Sequence, residues 1–153
     1  MKAGRRVQHV TDGLSIDVST PFGARAARHL RDDVVVWLTT VTDSGTPSPN
    51  VVWFLWDGAS TVRVFSLPKA DRIRHLQARP RVSLNFAGDG RGGDIVVLTG
   101  IAVPHPHDPP ADHVREYLAK YAAHIARIGL TPATFAARYS LPLRIALARL
   151  RGH

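Results

Sequence analysis

Pro47-Ser-Pro-Asn-Val-Val-Trp-Phe-Leu-Trp-Asp-Gly58 is an apolar, strand-forming stretch with two tryptophans, entered through Gly45-Thr46-Pro47 and closed by Asp57-Gly58. One short strand later comes a basic turn, Ser66-Leu-Pro-Lys-Ala-Asp-Arg72. The strand offers a planar ring something to lie against, and the turn, with Ser66, Lys69 and Arg72 ahead of an apolar helix, offers a phosphate several donors. Together they point to a ring-and-phosphate site on a small β-barrel.

The rest of the first half supplies that barrel. Val34 to Thr42 is β-branched and ends at Asp43-Ser44-Gly45-Thr46-Pro47, which is turn chemistry, so a hairpin follows with Asn50 to Trp56 as its return strand. Thr61 to Ser66 makes a third strand, and Ala70 to Ala78 a short helix that stops before Pro80. Arg81 to Ala87 and Asp94 to Val103 are strands four and five, joined by the glycine-rich loop Gly88 to Gly93. That loop reads as a hairpin and not as a dinucleotide fingerprint, because a strand follows it where a helix is required.

Ahead of these strands, Ser19 or Thr20 caps a helix with Pro21 in its first turn, continuing through Ala24, Ala27 and Leu30. Behind them, a helix from Pro110 or Asp112 to about Ile128 places Val114, Leu118, Tyr121 and Ile125 on one face, and Thr131-Pro132 opens a shorter helix to about Arg138. In the final stretch Leu141, Leu143, Ile145 and Leu147 alternate with Pro142, Arg144, Ala146 and Ala148, a two-residue period that predicts a closing strand. The expected fold is therefore mainly β with peripheral helices: a six-stranded antiparallel split β-barrel, one domain over 16–153 behind a flexible leader over 1–15.

Composition narrows the function. The chain has 153 residues, 44% of them hydrophobic, which suffices for one domain with a core. It has no cysteine, which excludes disulfides, thiolate catalysis and cysteine-bound metals. No run of 18 or more apolar residues occurs, and Met1-Lys-Ala-Gly-Arg-Arg6 lacks the apolar stretch of a signal peptide, so a cytoplasmic protein without membrane contact is expected. The net charge of +8 comes mostly from scattered arginines, since only Lys2, Lys69 and Lys120 are lysines. Such scatter fits solvated faces and a small anionic ligand better than nucleic acid.

Protein-borne chemistry is scarce. Glu116 is the sole glutamate, and its spacing predicts an exposed i, i+4 ion pair with Lys120. His105, His107 and His113 with Asp108 lie in or just after a proline-rich loop with no rigid ligand pair, so no metal is assigned. No nucleophile elbow is present. If the chain is an enzyme, a cofactor carries the reaction. Trp53 and Trp56 fall on opposite faces of one strand, so at most one faces a ligand, and Trp37 is expected to be buried packing.

The order Trp37-Leu-Thr-Thr-Val41, Gly45-Thr-Pro47, Val52-Trp-Phe-Leu-Trp-Asp-Gly58, Ser66-x-Pro68, Arg79-Pro-Arg-Val-Ser-Leu84 and Gly93-Asp-Ile-Val-Val-x-x-Gly100 resembles the pyridoxamine-phosphate-oxidase-like flavin/deazaflavin split-barrel family. It is similar in particular to the actinobacterial branch that depends on the deazaflavin coenzyme F-420. Tyr117-Leu-Ala-Lys-Tyr121, Gly129-Leu-Thr-Pro132 and Tyr139-Ser-Leu-Pro142 extend the likeness to the C-terminus. The resemblance implies a homodimer with cofactor sites at the subunit interface and hydride transfer from reduced coenzyme F-420 to a small electron-poor substrate. It implies that Asn50, Val51, Val52 and Trp53 line the ring and that Ser66, Lys69 and Arg72 hold the phosphate. Three departures stand out: the family usually has lysine where this chain has Arg72, an acidic or small residue where it has Lys69, and an apolar-proline pair where it has Asn50-Val51. An FMN-dependent oxidoreductase of the same fold and a non-catalytic carrier of the coenzyme are the alternatives.

Overall fold

A computed structural model describes residues 13–153. Its elements, in chain order, are α1 (Pro21–Asp32), β1 (Val36–Val41), β2 (Pro47–Val52), β3 (Leu55–Trp56), β4 (Thr61–Ser66), α2 (Asp71–Ala78), β5 (Arg81–Asn85), β6 (Val96–Pro104), α3 (Arg115–Arg127), α4 (Pro132–Arg138) and β7 (Leu141–Gly152). All neighbouring strands are antiparallel, in the order β2-β1-β5-β6-β7-β4-β3.

That order forces the sheet to curl. β2 and β3 are consecutive in the chain, yet they occupy the two ends of the sheet, with Trp53 and Phe54 alone between them. The three Cα–Cα steps from Val52 to Leu55 span at most about 11 Å, so both edges must approach each other there. The result is the expected split barrel, with Trp53-Phe54 as its seam.

The strand count differs from expectation, seven in place of six among the described residues. The single strand expected over Asn50 to Trp56 is broken in two because the backbone at its centre bonds to a helix. The Phe54 N–H donates to Tyr121 Oη at 2.9 Å, and the Phe54 carbonyl lies 2.9 Å from that hydroxyl and 3.2 Å from Lys120 Nζ, which donates to it. Those bonds replace the ladder bonds a continuous strand would have made.

Alternation along the strands fills the barrel. Val36 and Leu38 of β1, Val62 and Val64 of β4, Val82 and Leu84 of β5, Val96 and Leu98 of β6, and Leu143, Ile145 and Leu147 of β7 point inward. Trp37 therefore points outward, and at 41% exposed it corrects the expectation of buried packing. On β4 both faces are covered, since Phe65 faces away from the barrel into a second cluster under α3 and α4. A β-bulge at Thr99/Gly100 lets β6 bend against β7, and Gly100 is required there because a Cβ would collide with the Ala146 carbonyl.

The helices begin where the caps predict. Thr20 Oγ1 accepts the Gly23 N–H at 3.0 Å with Pro21 at the start of α1, and Thr131 and Thr134 form a reciprocal capping box on α4. The helix expected from residue 110 to 128 is interrupted: Ala111–His113 is a single 3₁₀ turn, and α3 starts only after Val114. Of the leader expected over 1–15, residues 1–12 lie outside the described residues, while the Leu14 N–H donates to the Leu147 carbonyl at 3.2 Å. Among the described residues, no helix is long and apolar enough to cross a membrane.

Candidate functional site

The seam delivers Trp53 to the second cluster. Its indole stacks on Tyr121 of α3 (centroids 4.9 Å apart, planes 9°) and on Phe135 of α4 (5.5 Å, 15°), and Phe135 stacks in turn on Tyr139 (4.6 Å, 27°). Tyr117, one helical turn before Tyr121, meets Phe65 edge-on at 4.8 Å. Burial holds the Tyr117 and Tyr121 hydroxyls protonated, pushing both well above the ordinary tyrosine range. These rings form an aromatic cap over the outer face of β4.

Beside the cap opens a cavity of about 310 Å³, lined by Val51, Val52, Trp53, Phe65, Leu67, Arg72, Tyr117, Ile128, Phe135 and Tyr139. Among the described residues, Arg72 is its one charged lining residue. The guanidinium sits in the first turn of α2, which is pinned to the barrel by Leu76 and by a 2.8 Å contact between His75 Nδ1 and Thr40 Oγ1. Burial pulls its pKa below the usual arginine value, with Tyr139 acting in the opposite sense. Among the described residues no carboxylate pairs with it. A half-buried cation without an acidic partner is costly unless an anion meets it, which makes this the electrostatic feature of the cavity.

Of the seven residues singled out from the sequence, Val51, Val52, Trp53 and Arg72 line this cavity. Ser66 is fully buried, with its hydroxyl donated to the Leu67 carbonyl at 3.0 Å, so it stands behind the turn. Asn50 and Lys69 are exposed and outside the lining. Trp56 joins the barrel side instead, its Nε1 donating to the Ala59 carbonyl at 3.0 Å, so the two tryptophans part company at the seam. Sequence reasoning missed Phe65, Tyr117, Phe135 and Tyr139. The i, i+4 spacing of Tyr117 and Tyr121 signalled a ring-bearing helix face, but nothing in the sequence says which strand that face covers. The predicted Glu116–Lys120 ion pair does not form, because Lys120 reaches inward to Phe54.

A larger cleft of about 550 Å³ lies between Arg63, Arg144, Asp57 and Glu116. Arg144 is already held there by Asp108, with Nε donating to the carboxylate at 2.7 Å. Its mixed charges leave less for an anion than the single free cation of the aromatic cavity.

Solved structures share this fold. A protein described as an F420 reductase is 22% identical with a TM-score of 0.56, covering 80% of this chain and 92% of its own. A FAD-binding protein from Mesorhizobium loti is 21% identical with a TM-score of 0.59, covering 83% and 90%. HutZ, a haem storage protein from Vibrio cholerae, is 15% identical with a TM-score of 0.55, covering 90% and 94%. At these identities the likeness is one of fold, and the three names span three different ligands. No curated protein matches the chain. The family profile for pyridoxamine 5'-phosphate oxidase matches residues 22–151, the whole barrel from α1 to β7, and the chain belongs to that family.

Proposed function

We propose that the protein is a cytoplasmic, homodimeric reductase that binds the deazaflavin coenzyme F-420 at the Arg72 cavity and passes a hydride to a small electron-poor substrate. The observation that carries this reading is the lone half-buried guanidinium of Arg72 in a cavity otherwise walled by aromatic and aliphatic side chains. A planar ring system fits against such walls, and an anionic group fits Arg72. When bound, the reduced coenzyme supplies the hydride. The chain's own residues orient the ring, exclude water and fix the anion.

The dimer is supported by the outer face of β1 and β2. Trp37 pairs in register with Val51, and both are exposed, at 41% and 46%, beside exposed Val34 and Val35. Val51 belongs to this patch and to the cavity lining at once. A second copy seated on the patch would cover it and wall the open side of the cavity. Sedimentation at micromolar concentration is expected to give a dimer, and a monomer alone would remove this part of the reading.

The coenzyme is tested by titrating the protein with F-420 and with FMN at matched ionic strength. Tighter binding of F-420, weakening with salt, is expected, because its longer anionic tail draws more from a chain at +8. Equal or tighter FMN binding replaces the proposal with an FMN oxidoreductase. Tight F-420 binding without oxidation of the reduced coenzyme by any of a panel of enones and quinones leaves a carrier.

A further inference from the structure

Lys120 occupies an unusual position for a lysine in a surface helix. Its Nζ donates to the Phe54 carbonyl at 3.2 Å and stands 3.8 Å from the centre of the Phe54 ring and 5.3 Å from that of Tyr121. Among the described residues no carboxylate forms an ion pair with it. Lys120 also lines an open cleft of about 620 Å³ between α1, β3 and α3, with Leu30, Leu55 and Trp56 as apolar wall and Asp32, Asp57 and Glu116 as polar rim. This cleft shares no lining residue with the Arg72 cavity.

We infer that the cleft is a second ligand site, in which the Lys120 amine condenses with a neutral aldehyde carrying a flat apolar body. Lys120 lines the cleft while its amine is tethered to the Phe54 carbonyl and ring, so release of Nζ from Phe54 is the step that presents it to a carbonyl carbon held in the cleft. The indole of Trp56 supplies a surface for a flat body. Asp32, Asp57 and Glu116 outnumber Arg31 and Lys120 in the lining, which disfavours an anionic aldehyde. Burial pushes the ammonium down to about 8, against the smaller opposing pull of Asp33 and Asp32, so roughly a tenth of Lys120 is free amine at pH 7, far more than for an ordinary exposed lysine. In the reaction the nitrogen lone pair attacks the carbonyl carbon, a proton passes from nitrogen to oxygen, and the carbinolamine loses water, taking the second amine proton, to leave a carbon–nitrogen double bond. Nothing is oxidised or reduced.

Lys2, Lys69 and Lys120 are the only lysines, so selectivity can be read directly. The full chain is incubated with benzaldehyde and cyanoborohydride, which traps the imine as a benzylamine, and each lysine is followed by peptide mass spectrometry. At about pH 7.5 Lys120 is expected to label at least roughly tenfold faster than exposed Lys69, to saturate with aldehyde, and to lose its advantage in denaturing urea. Carboxybenzaldehyde should label Lys120 more slowly than benzaldehyde does, and Trp56→Leu should raise the half-saturating concentration at Lys120 while leaving Lys69 unchanged. Labelling of Lys120 no faster than Lys69, a rate linear in aldehyde, or an advantage that survives in urea would overturn the site and leave Lys120 as a clasp on Phe54.

Discussion

The barrel interior and the aromatic cap are packed on opposite faces of β4, and they are built differently. Inside the barrel the residues are mostly Val, Leu and Ile, which interdigitate to a closed core. Under α3 and α4 the buried residues include Phe65, Tyr117, Tyr121 and Phe135, with Trp53 and Tyr139 at the edge. Flat rings stack but do not fill irregular space, and their polar atoms need partners. The cavity with Arg72 therefore opens at the cap, while the interior only carries the load of folding. The lesson is that one strand can serve stability on one face and ligand chemistry on the other.

The sharpest way to break that division is to cut the interior. Leu84→Ala removes a fully buried side chain of the barrel and should cost about 2–5 kcal/mol in urea unfolding. The folded fraction should bind coenzyme as before. A large loss of affinity at native conditions would mean that the interior shapes the site after all.

Arg72→Ala tests the other face. Loss of a charge-assisted contact should weaken F-420 binding by about 1.5–3 kcal/mol, one to two decades, in a fluorescence titration. Stability without coenzyme should stay level or rise slightly, because a half-buried cation with no acidic partner among the described residues is removed. Unchanged affinity would place the anion elsewhere and dissolve the functional half of the comparison.

Tyr121→Phe probes the seam that joins the two regions. The Phe54 N–H loses its acceptor in a buried place, a cost of about 1–3 kcal/mol measured by denaturation. A loss well below that range would mean the seam finds other partners, and the cap is then looser than its stacking suggests.

The smallest effect concerns α1, which His29 ties to Asp94 just ahead of β6. Its Nδ1 lies 2.7 Å from Asp33 and its Nε2 3.0 Å from Asp94. Burial opposes the charge on His29, but the bonds to Asp94 and Asp33 outweigh it and raise the pKa above 6.5, while the bond to His29 lowers that of Asp94 below 3.8. The histidine's contribution is thus complete below its unfolded pKa and lost as pH rises through the higher folded value. That of Asp94 is present above its unfolded pKa and lost as pH falls through the lower folded one. Urea midpoints should fall as the pH rises above about 6.5 in the wild type and fall less in His29→Gln, with coenzyme affinity unaffected.

Much of this arrangement was legible in the residues. The turn at Asp43 to Pro47, the alternation from Leu141 to Leu147 and the caps at Thr20 and Thr131 are local signals, and each element formed where its signal lay. Val51, Val52, Trp53 and Arg72, which line one cavity, were singled out by residue type, as parts of an apolar strand and a basic turn. Trp37 was misjudged because composition says that tryptophans are buried, whereas strand parity, set by Val36 and Leu38, turns this one outward. The Glu116–Lys120 pair was misjudged because spacing along a helix ignores what lies beneath it.

Sequence by itself determined the strands, the helix starts, the basic turn and the curled sheet's composition, because these depend on neighbours within a few residues. Only the tertiary structure decided that the Asn50–Trp56 stretch breaks at Phe54, that Trp53 stacks on rings contributed from 68 and 82 positions away, and that Arg72 lines the same cavity with no carboxylate paired to it among the described residues. The break at Phe54 hangs on the Tyr121 hydroxyl meeting the Phe54 N–H and carbonyl and the Lys120 amine meeting that carbonyl. Such a meeting belongs to the packing of α3 against the barrel seam, where hydrogen bonds formed across the fold replace those a strand would have made with its neighbour.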